Sequence, residues 1–335
     1  MIYPRPIPMS DSARPEGALP LAGTALWFDR VELLERGRGP RTIPAAELDA
    51  ETRACLSAPR PDLAGLALDH VRLMGILNVT PDSFSDGGRY LDSGGAAPRA
   101  AELVRAGAEI LDIGGESTRP GSFEVAVDEE IARITPAIRE AAPLVPVSVD
   151  TRKAAVGRQA VQLGASMLND VSGLLHDPDL ALVAAESGAP LIVMHMRGTP
   201  ETMQGLTDYD DVLLDVYDEL AERLAAAEAA GIPRVRLIAD PGIGFAKTTG
   251  QNLALIRNLS LFHNLGVPLL LGVSRKRFIG NIAGIEAAAE RMPGSIAMAL
   301  EGARQGAHVI RVHDVAATRQ ALALWFAVTG GRNDA

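Results

Sequence analysis

The chain has 335 residues, of which 47% are hydrophobic, and its formal charge at pH 7 is -10. This length accommodates one large domain with an appendage, or two ordinary domains. The acidic balance argues against a nucleic-acid-binding protein, which normally concentrates Lys and Arg on one face, so we expect no nucleic-acid partner. An anionic ligand would have to be held by a few local cations.

The cysteine content and the distribution of apolar residues favour a reducing compartment. The single cysteine, Cys55, cannot form an internal disulfide, and its proline-rich surroundings do not favour a nucleophile. Residues Met1–Pro20 lack the apolar core of a secretory signal, and no later apolar run approaches the roughly 20 residues that span a bilayer. We therefore expect a cytoplasmic protein without a membrane partner.

From Val71 onward, short apolar runs alternate with amphipathic segments rich in Ala, Leu, Glu and Arg. This alternation is typical of parallel strands joined by crossover helices. The predicted strands are Arg72–Leu77, Glu109–Gly114, Val147–Asp150, Ser166–Asn169, Leu191–Met194, Val235–Ala239, Leu269–Gly272 and His308–Val312. The predicted helices include Ala96–Ala106, Asp128–Ala141, Arg152–Leu163, Val212–Ala230, Gln251–Asn264, Met292–Gln305 and Ala316–Val328. Eight strand–helix units favour the α/β fold of a closed TIM (β/α)8 barrel, over residues 71–330, rather than an open sheet.

Residues 1–70 have a different pattern, in which Pro and Arg recur and no strand–helix unit repeats. We expect a strand or hairpin within Thr24–Leu34 and a short helix within Ala45–Leu56. The prediction is an N-terminal appendage packed on the closed end of the barrel. A partner-binding module is the alternative.

Polar residues stand at the end of every predicted strand. In a TIM barrel the C-terminal strand ends and the loops after them form the active site. Asp and Asn also cap helices, so any one of these residues alone has a structural alternative. The set comprises Asn78, Asp112, Asp150, Asn169, His195, Asp240, Ser274–Lys276, and Arg311 with His313.

The first two strand ends continue into loops suited to enclosing a ligand. Residues Met74–Gly88 read MGILNVTPDSFSDGG, and Asp112–Ser122 read DIGGESTRPGS. Gly-, Pro- and Ser-rich loops of this kind commonly move or close over a ligand. In the second loop, the Arg119 guanidinium is suited to bidentate phosphate recognition.

Together these motifs resemble the dihydropteroate synthase family, in order, from about Val71 to Val328. The further matching strings are SVDTRKAAV (Ser148–Val156), LNDVSG (Leu168–Gly173), VMHMRGTPETMQ (Val193–Gln204), DPGIGFAKT (Asp240–Thr248), GVSRKRFIG (Gly272–Gly280) and RVHDV (Arg311–Val315). The resemblance implies the barrel, a reaction of a pterin methyl diphosphate with p-aminobenzoate, a magnesium ion and a homodimer.

A pterin is a flat heterocycle whose edge carries both hydrogen-bond donors and acceptors, so its pocket needs carboxylates and amides as well as donors. Five strand-end residues offer that set and are the predicted pterin contacts, and the resemblance implies that Asp150, Asn169, Asp240 and Lys276 contact the ring in the family. Met194 and Phe245 are candidate apolar faces for the ring, with core packing as the alternative. The five are Asp112, Asp150, Asn169, Asp240 and Lys276.

The remaining predicted contacts concern the diphosphate, the metal and p-aminobenzoate. We expect Thr118, Arg119, Arg311 and His313 around the diphosphate, with Arg311 also stacking on the pterin. The resemblance implies that Asn78 is the protein ligand of magnesium. The p-aminobenzoate pocket is predicted from Phe84, Pro120, Lys276 and Arg277.

The predicted chemistry requires no strong general base, because the attacking aromatic amine is already a free base. The predicted catalytic residues are Lys276, Arg311 and Asp112. Cationic groups, including Arg119 and His313, would stabilise the leaving diphosphate, and carboxylates would favour a pterin methylene cation. The loops at Val79–Tyr90 and Ser117–Phe123 would then close and exclude water.

Several residues limit the comparison with the family. Arg277 stands where serine is common, and Ala246 stands where glycine is frequent, a mild change unless this backbone has positive φ. We interpret His195 as a wall histidine rather than a base, and Asp128–Glu130 as a solvated helix start.

Two other functions stay open at the level of sequence. A methyltetrahydrofolate-dependent corrinoid methyltransferase would share the carboxylate and amide set but would not need the diphosphate residues. A catalytically inactive pterin-binding scaffold would bind pterin and form no product.

Overall fold

The computed structural model describes residues 1–80, 96–119 and 121–330. The N-terminal region contains a three-stranded antiparallel sheet in the order β1–β4–β5 and a two-stranded sheet of β2 and β3. The strands are β1 (Ile2–Pro6), β2 (Leu19–Pro20), β3 (Trp27–Phe28), β4 (Arg30–Glu35) and β5 (Arg41–Pro44). Helix α1 (Ala50–Ser57) follows, where Asp49 caps the helix by accepting from the Thr52 amide at 2.8 Å. Both local predictions for this region are confirmed.

Eight parallel strands follow and close into a barrel. They are β6 (Arg72–Asn78), β7 (Ile110–Gly114), β8 (Val147–Asp150), β9 (Met167–Asp170), β10 (Leu191–Met194), β11 (Leu237–Asp240), β12 (Leu270–Gly272) and β13 (Val309–Val312). Their order is β11–β10–β9–β8–β7–β6–β13–β12, and a parallel bridge between Ala239 and Leu269 joins the two ends. The predicted (β/α)8 barrel is confirmed, with strand boundaries within two residues of the predictions.

Helices cover the outside of the barrel. The described ones are α2 (Ala96–Arg105), α3 (Val127–Ala141), α4 (Ala154–Gln162), α5 (Asp179–Ser187), α6 (Val212–Ala229), α7 (Thr249–Arg257), α8 (Arg277–Ala283), α9 (Met292–Arg304) and α10 (Val315–Thr329). A capping box of Thr248 and Gln251 begins α7. The predicted helix Gln251–Asn264 is divided, because α7 ends at Arg257 and a 3-10 helix covers Leu259–Leu265. Across the described ranges, no helix is both long and apolar enough to span a bilayer.

The N-terminal region closes the bottom of the barrel. Leu63 and Leu68 pack in one buried cluster with inward-facing side chains from the strands. The His308 ring, at the start of β13, makes a 3.0 Å hydrogen bond to the Ala22 carbonyl. The strand residues in this cluster are Met74, Ile110, Met167, Ile192, Ile238, Leu270 and Val309. The division at residue 70 into an appendage and a catalytic domain stays a prediction.

Truncation of the Leu68 side chain tests how much the packing of the N-terminal region on the barrel contributes to the free energy of unfolding. Leu68 is 5% exposed, so Leu68→Ala leaves a cavity and should lower the free energy of unfolding by about 2–5 kcal/mol. Leu182→Ala is the matched control, because Leu182 on α5 is 45% exposed and its loss should change stability by less than about 0.5 kcal/mol. Denaturant unfolding measures both. Equal effects of the two substitutions would show that the packing of Leu68 on the barrel does not stabilise the fold.

Candidate functional site

The strand ends bring a set of charged and amide side chains to one rim of the barrel. This follows from the parallel arrangement, because the C-terminal ends of all eight strands lie on the same side. Most of these polar residues are the last or next-to-last residue of their strand or follow it within a few positions, and Asp112 lies two residues before the end of β7. Those with direct mutual contacts are Asp112, Asp150, Asn169 and Arg311.

Arg311 joins two carboxylates across the rim. Its Nε donates to Asp112 Oδ2 at 2.5 Å, and its Nη2 donates to Asp150 Oδ2 at 2.8 Å. Asn169 Nδ2 donates to the same Asp112 oxygen at 3.1 Å. The other oxygen, Asp112 Oδ1, is buried and has no hydrogen-bond partner within the described ranges. A buried acceptor of this kind carries a substantial desolvation penalty unless a ligand donates to it.

Burial changes the protonation of two further rim carboxylates. It raises the pKa of Asp150 to about 7, an effect that Arg311 opposes and Asp112 reinforces. Burial also raises the pKa of Asp240, although the Gly242 amide donates to its Oδ1 at 2.8 Å. Both carboxyls are therefore easier to protonate than ordinary aspartates.

Lys276 and Phe245 form the opposite wall. The Lys276 ammonium lies 4.2 Å from the centre of the Phe245 ring, in a cation–π contact. Burial lowers the pKa of Lys276 to about 8, and Asp240 opposes that shift. Met194 is buried in an apolar cluster that Phe245 borders, and its contact with the pterin ring stays a prediction.

Among the predicted diphosphate residues, His313 differs in charge from the prediction. The His313 amide donates to Ser274 Oγ at 3.1 Å, and His313 Nδ1 lies 3.0 Å from the same oxygen. Burial lowers the pKa of His313 well below its usual range, and the nearby Arg275, Arg311 and Arg119 add to the shift. The expectation of a cationic His313 is therefore wrong: the ring is neutral at pH 7 and offers hydrogen bonds only. Thr118 is half-buried and Arg119 is exposed on the loop after β7.

Asn78, at the end of β6, occupies a crowded part of the rim. A Cβ added to Gly114 would lie 3.4 Å from Asp150 Cβ and 3.7 Å from Asn78 Oδ1. Across residues 1–80, 96–119 and 121–330, no group of three His, Cys, Asp or Glu side chains could hold a metal. A single amide oxygen suits only a metal ion that keeps most of its waters, such as magnesium, and the role of Asn78 as a metal ligand stays a prediction.

A buried ion network, absent from the sequence predictions, holds the base of the loop after β7. Lys153 Nζ donates to Glu116 Oε2 at 2.6 Å and to Glu130 Oε2 at 2.8 Å, and Arg152 also pairs with Glu116. Glu116 accepts from the Val125 amide at 2.8 Å, so one carboxylate ties both ends of the loop. The interpretation of Glu130 as a solvated helix start is wrong, because Lys153 draws its side chain inward to 1% exposure.

The p-aminobenzoate residues are placed only in part. Arg277 is exposed at the start of α8, directly after Lys276. Phe84 and Pro120 lie outside the described residues, as does most of the predicted closing loop Val79–Tyr90. The p-aminobenzoate pocket therefore stays a prediction.

The turn after β11 contains one strained residue, and a buried histidine that directly follows β10 contacts this turn. Ala246 has a φ of +50°, so its methyl is carried in a conformation that favours glycine, and the substitution is not mild. His195 is 2% exposed, and burial together with Lys247 lowers its pKa to about 4. A wall position fits such a neutral, enclosed ring.

Comparison with known proteins matches this barrel throughout its length. The family described as "Pterin binding enzyme" matches residues 74–313. A dihydropteroate synthase of Escherichia coli strain K12 is 46% identical over 259 residues, which are 77% of this chain and 91% of that protein. The dihydropteroate synthase of Bacillus subtilis is 48% identical over 245 residues, which are 72% and 83% of the two chains. These names favour the synthase over the methyltransferase and the inactive scaffold.

Solved structures agree in fold and carry informative ligands. Xanthomonas albilineans dihydropteroate synthase with 4-aminobenzoic acid has a TM-score of 0.74 and 47% identity, and the match covers 81% of this chain and 98% of that one. The same organism's enzyme in complex with 7,8-dihydropteroate has a TM-score of 0.72 and 45% identity, with the same coverage.

Removal of Arg311 tests the electrostatic balance of the rim. Arg311→Met leaves Asp112 and Asp150 buried without their cation, which should lower the free energy of unfolding at pH 8 by about 3–5 kcal/mol. A carboxyl with a raised folded pKa is tolerated while protonated, so the loss should shrink as pH falls from 8 to 5. Arg158→Met removes an exposed pair with Glu186 and should change stability by about 0.5 kcal/mol or less at either pH. A loss independent of pH would contradict the pairing.

Proposed function

Because this chain belongs to the dihydropteroate synthase family of pterin-binding enzymes, we propose that it joins (7,8-dihydropterin-6-yl)methyl diphosphate to p-aminobenzoate, releasing 7,8-dihydropteroate and pyrophosphate. The observation that carries the proposal is the unpartnered Asp112 Oδ1 in the middle of the rim. It is a buried acceptor beside a cation, which suits a ring edge that donates N–H groups.

The pterin would lie with its polar edge on Asp112, Asp150, Asn169 and Asp240, and one face against Phe245. Each of these carboxylates and amides is buried, so a ring lacking the matching donors would leave them unpaired. Lys276, held over the Phe245 ring, would donate to a ring acceptor or to the p-aminobenzoate carboxylate. Lys276 would then lie between the two substrates.

The diphosphate would lie at the other side of Arg311, near Thr118, Arg119 and His313. Arg311 has already committed two of its nitrogens to Asp112 and Asp150, so its remaining Nη1 would face the phosphate. Arg119 extends from the exposed loop and can reach toward this region with a bidentate guanidinium. Asn78 would hold a magnesium ion, which would neutralise part of the charge on the leaving diphosphate.

The residues of the site support a reaction in which the leaving group departs first. The amine of p-aminobenzoate needs no base to become nucleophilic, and His195, the buried histidine that follows β10, is bonded to Glu219 and Lys247 rather than directed at a substrate. Arg119 and Arg311 would stabilise the departing negative charge. Asp112 and Asp150 would stabilise the positive charge left on the pterin methylene.

We also propose a homodimer and a cytoplasmic location. The neighbouring helices α8, α9 and α10 each carry exposed apolar side chains, which together would form an apolar patch suited to an interface between two copies of the chain. Leu324 and Val328, 65% and 86% exposed, lie one turn apart on α10. Ile282 on α8 and Met292 at the start of α9 add to this patch. The single, half-buried Cys55 is compatible with a reducing compartment.

A coupled assay tests the proposed activity directly. The purified protein is incubated with the pterin diphosphate, p-aminobenzoate and magnesium, and the product is identified by mass spectrometry. Formation of 7,8-dihydropteroate with release of pyrophosphate is expected. Pterin binding by calorimetry without any product would identify a scaffold instead.

Substitution of Asn78 separates a metal ligand from a ring contact. Asn78→Ala should raise the Kd of the pterin diphosphate on the order of tenfold or more in the presence of magnesium, because a charge-linked contact is lost. The Kd of 6-hydroxymethyl-7,8-dihydropterin, which has no diphosphate, should change little. Equal weakening of both ligands would assign Asn78 to the ring.

Positional isotope exchange tests the order of bond breaking. Pterin diphosphate labelled at the bridging oxygen is incubated with enzyme and magnesium, together with an unreactive analogue of p-aminobenzoate. If the C–O bond breaks first and re-forms, the label should scramble into non-bridging positions. An absence of scrambling, combined with a large isotope effect at the amine nitrogen, would indicate concerted displacement.

A further inference from the structure

The chain contains only three lysines, and all three lie just beyond strand ends at the functional rim. They are Lys153, Lys247 and Lys276, while every other basic side chain among the 32 Lys and Arg residues is arginine. Lys276 and Lys153 already have roles, in the substrate wall and in the ion network at the base of the loop after β7. Lys247 has none in the reaction described above. A compact ammonium, unlike a planar guanidinium, can direct three N–H groups at three separate acceptors.

Lys247 has such a set of acceptors. Its Nζ lies 3.0 Å from the Gly242 carbonyl, 2.9 Å from the Phe245 carbonyl and 2.9 Å from His195 Nδ1. The residue is 6% exposed, so water does not readily replace any of these partners. Three donors therefore match three acceptors.

His195 is fixed in the form that this arrangement needs. Its Nε2 lies 3.0 Å from Glu219 Oε2, and Glu219 is also paired with Arg197. A neutral imidazole that donates from Nε2 to this carboxylate has a free lone pair on Nδ1, which accepts from Lys247. The chain of contacts thus runs from α6 through β10 to the turn after β11.

That turn carries the pterin end of the proposed site. The Gly242 amide orients Asp240 through its 2.8 Å hydrogen bond, and Phe245 supplies the apolar face. The turn is packed tightly against β10: a Cβ added at Gly242, whose φ is +67°, would lie 1.9 Å from the His195 carbonyl oxygen. Lys247 therefore bonds the backbone of the two residues whose placement sets Asp240 and Phe245.

We propose that Lys247 is a positioning residue for the pterin, whose ammonium clamps the Gly242–Phe245 turn onto His195 and so fixes the Asp240 carboxylate and the Phe245 ring. This inference rests on the proposed function of the same site. It assigns Lys247 no contact with substrate. Its loss should weaken pterin binding and leave p-aminobenzoate recognition, which occurs at the far side of Lys276, essentially unchanged.

The clamp should depend on pH. Burial lowers the pKa of Lys247 to about 7, with Asp240 and Glu219 opposing the shift and Lys276 and Arg197 adding to it. As pH rises through that value, the neutral amine keeps two N–H groups and directs a lone pair at an acceptor. The loss of the Lys247 proton should therefore lower the affinity of the wild-type protein for pterin as pH rises from 6 to 8. Asp150 and Lys276 titrate in the same region, but they are present in every variant below.

Two uncharged variants of nearly equal side-chain length separate the clamp from simple packing. Lys247→Met removes all donors, and Lys247→Gln keeps two N–H donors without charge. Binding of 6-hydroxymethyl-7,8-dihydropterin is measured by calorimetry across pH 6–8, and KM for p-aminobenzoate is measured by the coupled assay. The Met variant should bind the pterin on the order of tenfold more weakly at pH 6, and the Gln variant should recover part of this loss. In both variants the pH dependence of pterin affinity should be smaller than in the wild-type protein by the part that comes from Lys247.

Equal pterin affinity of the Met, Gln and wild-type proteins at pH 6, or equal loss toward both substrates, would overturn the proposal. Wild-type protein that forms no dihydropteroate would instead refute the proposed function. If a variant does not fold, 15N-histidine NMR of the wild-type protein still decides the matter. The proposal requires His195 to be neutral with its proton on Nε2, and a proton on Nδ1 would contradict it.

Discussion

The contact on which the site depends is the bridge from Arg311 to Asp112 and Asp150. Buried carboxylates are unfavourable without a nearby cation, and this cation comes from β13, two strands away from β7 and three from β8 in the closed sheet. The bridge therefore exists only when the barrel has closed and its strands are in register. A site built in this way is preorganised, since its charges are fixed by the fold before any ligand arrives. The same geometry leaves Asp112 Oδ1 without a donor among the described residues. A ligand that donates an N–H group there would supply the missing hydrogen bond.

Much of this arrangement could be predicted because it follows from local pattern. Apolar runs end at the rim, and the first polar residue after each run is placed by its strand, which is why Asp112, Asp150 and Asp240 were assigned to one surface. Partners that come from distant elements leave no such pattern. The pairing of Glu130 with Lys153 depends on how α3 packs beside the start of α4, and the neutrality of His313 depends on burial among three arginines. Lys247 lies in the string Asp240–Thr248, but its three acceptors are brought together only by the fold, so no local pattern predicts its role.

The buried Asp240 carboxylate is stabilised by nearby lysines and a backbone amide, without a direct ion pair among the described residues. The lysines Lys247 and Lys276 influence it electrostatically from two sides, while its closest described donor is the Gly242 amide. Burial lowers the pKa of both lysines toward neutrality, so the cost of three enclosed charges is reduced by making each easier to neutralise. Side chains whose charge is easily neutralised suit a pocket in which hydrogen bonds within the protein are replaced by hydrogen bonds to a polar heterocycle.

The distribution of charge along the rim also has a direction. Carboxylates are concentrated where the pterin ring would lie, whereas Arg119 and the uncommitted end of Arg311 lie toward the proposed diphosphate position. A bond between the two groups would experience a field that favours positive charge on the ring side and negative charge on the phosphate side, which is the charge separation of C–O cleavage. Because Arg311 is held by both carboxylates, it cannot swing toward the phosphate and erase this asymmetry. The bridge that makes burial of Asp112 and Asp150 tolerable therefore also keeps the field oriented along the breaking bond.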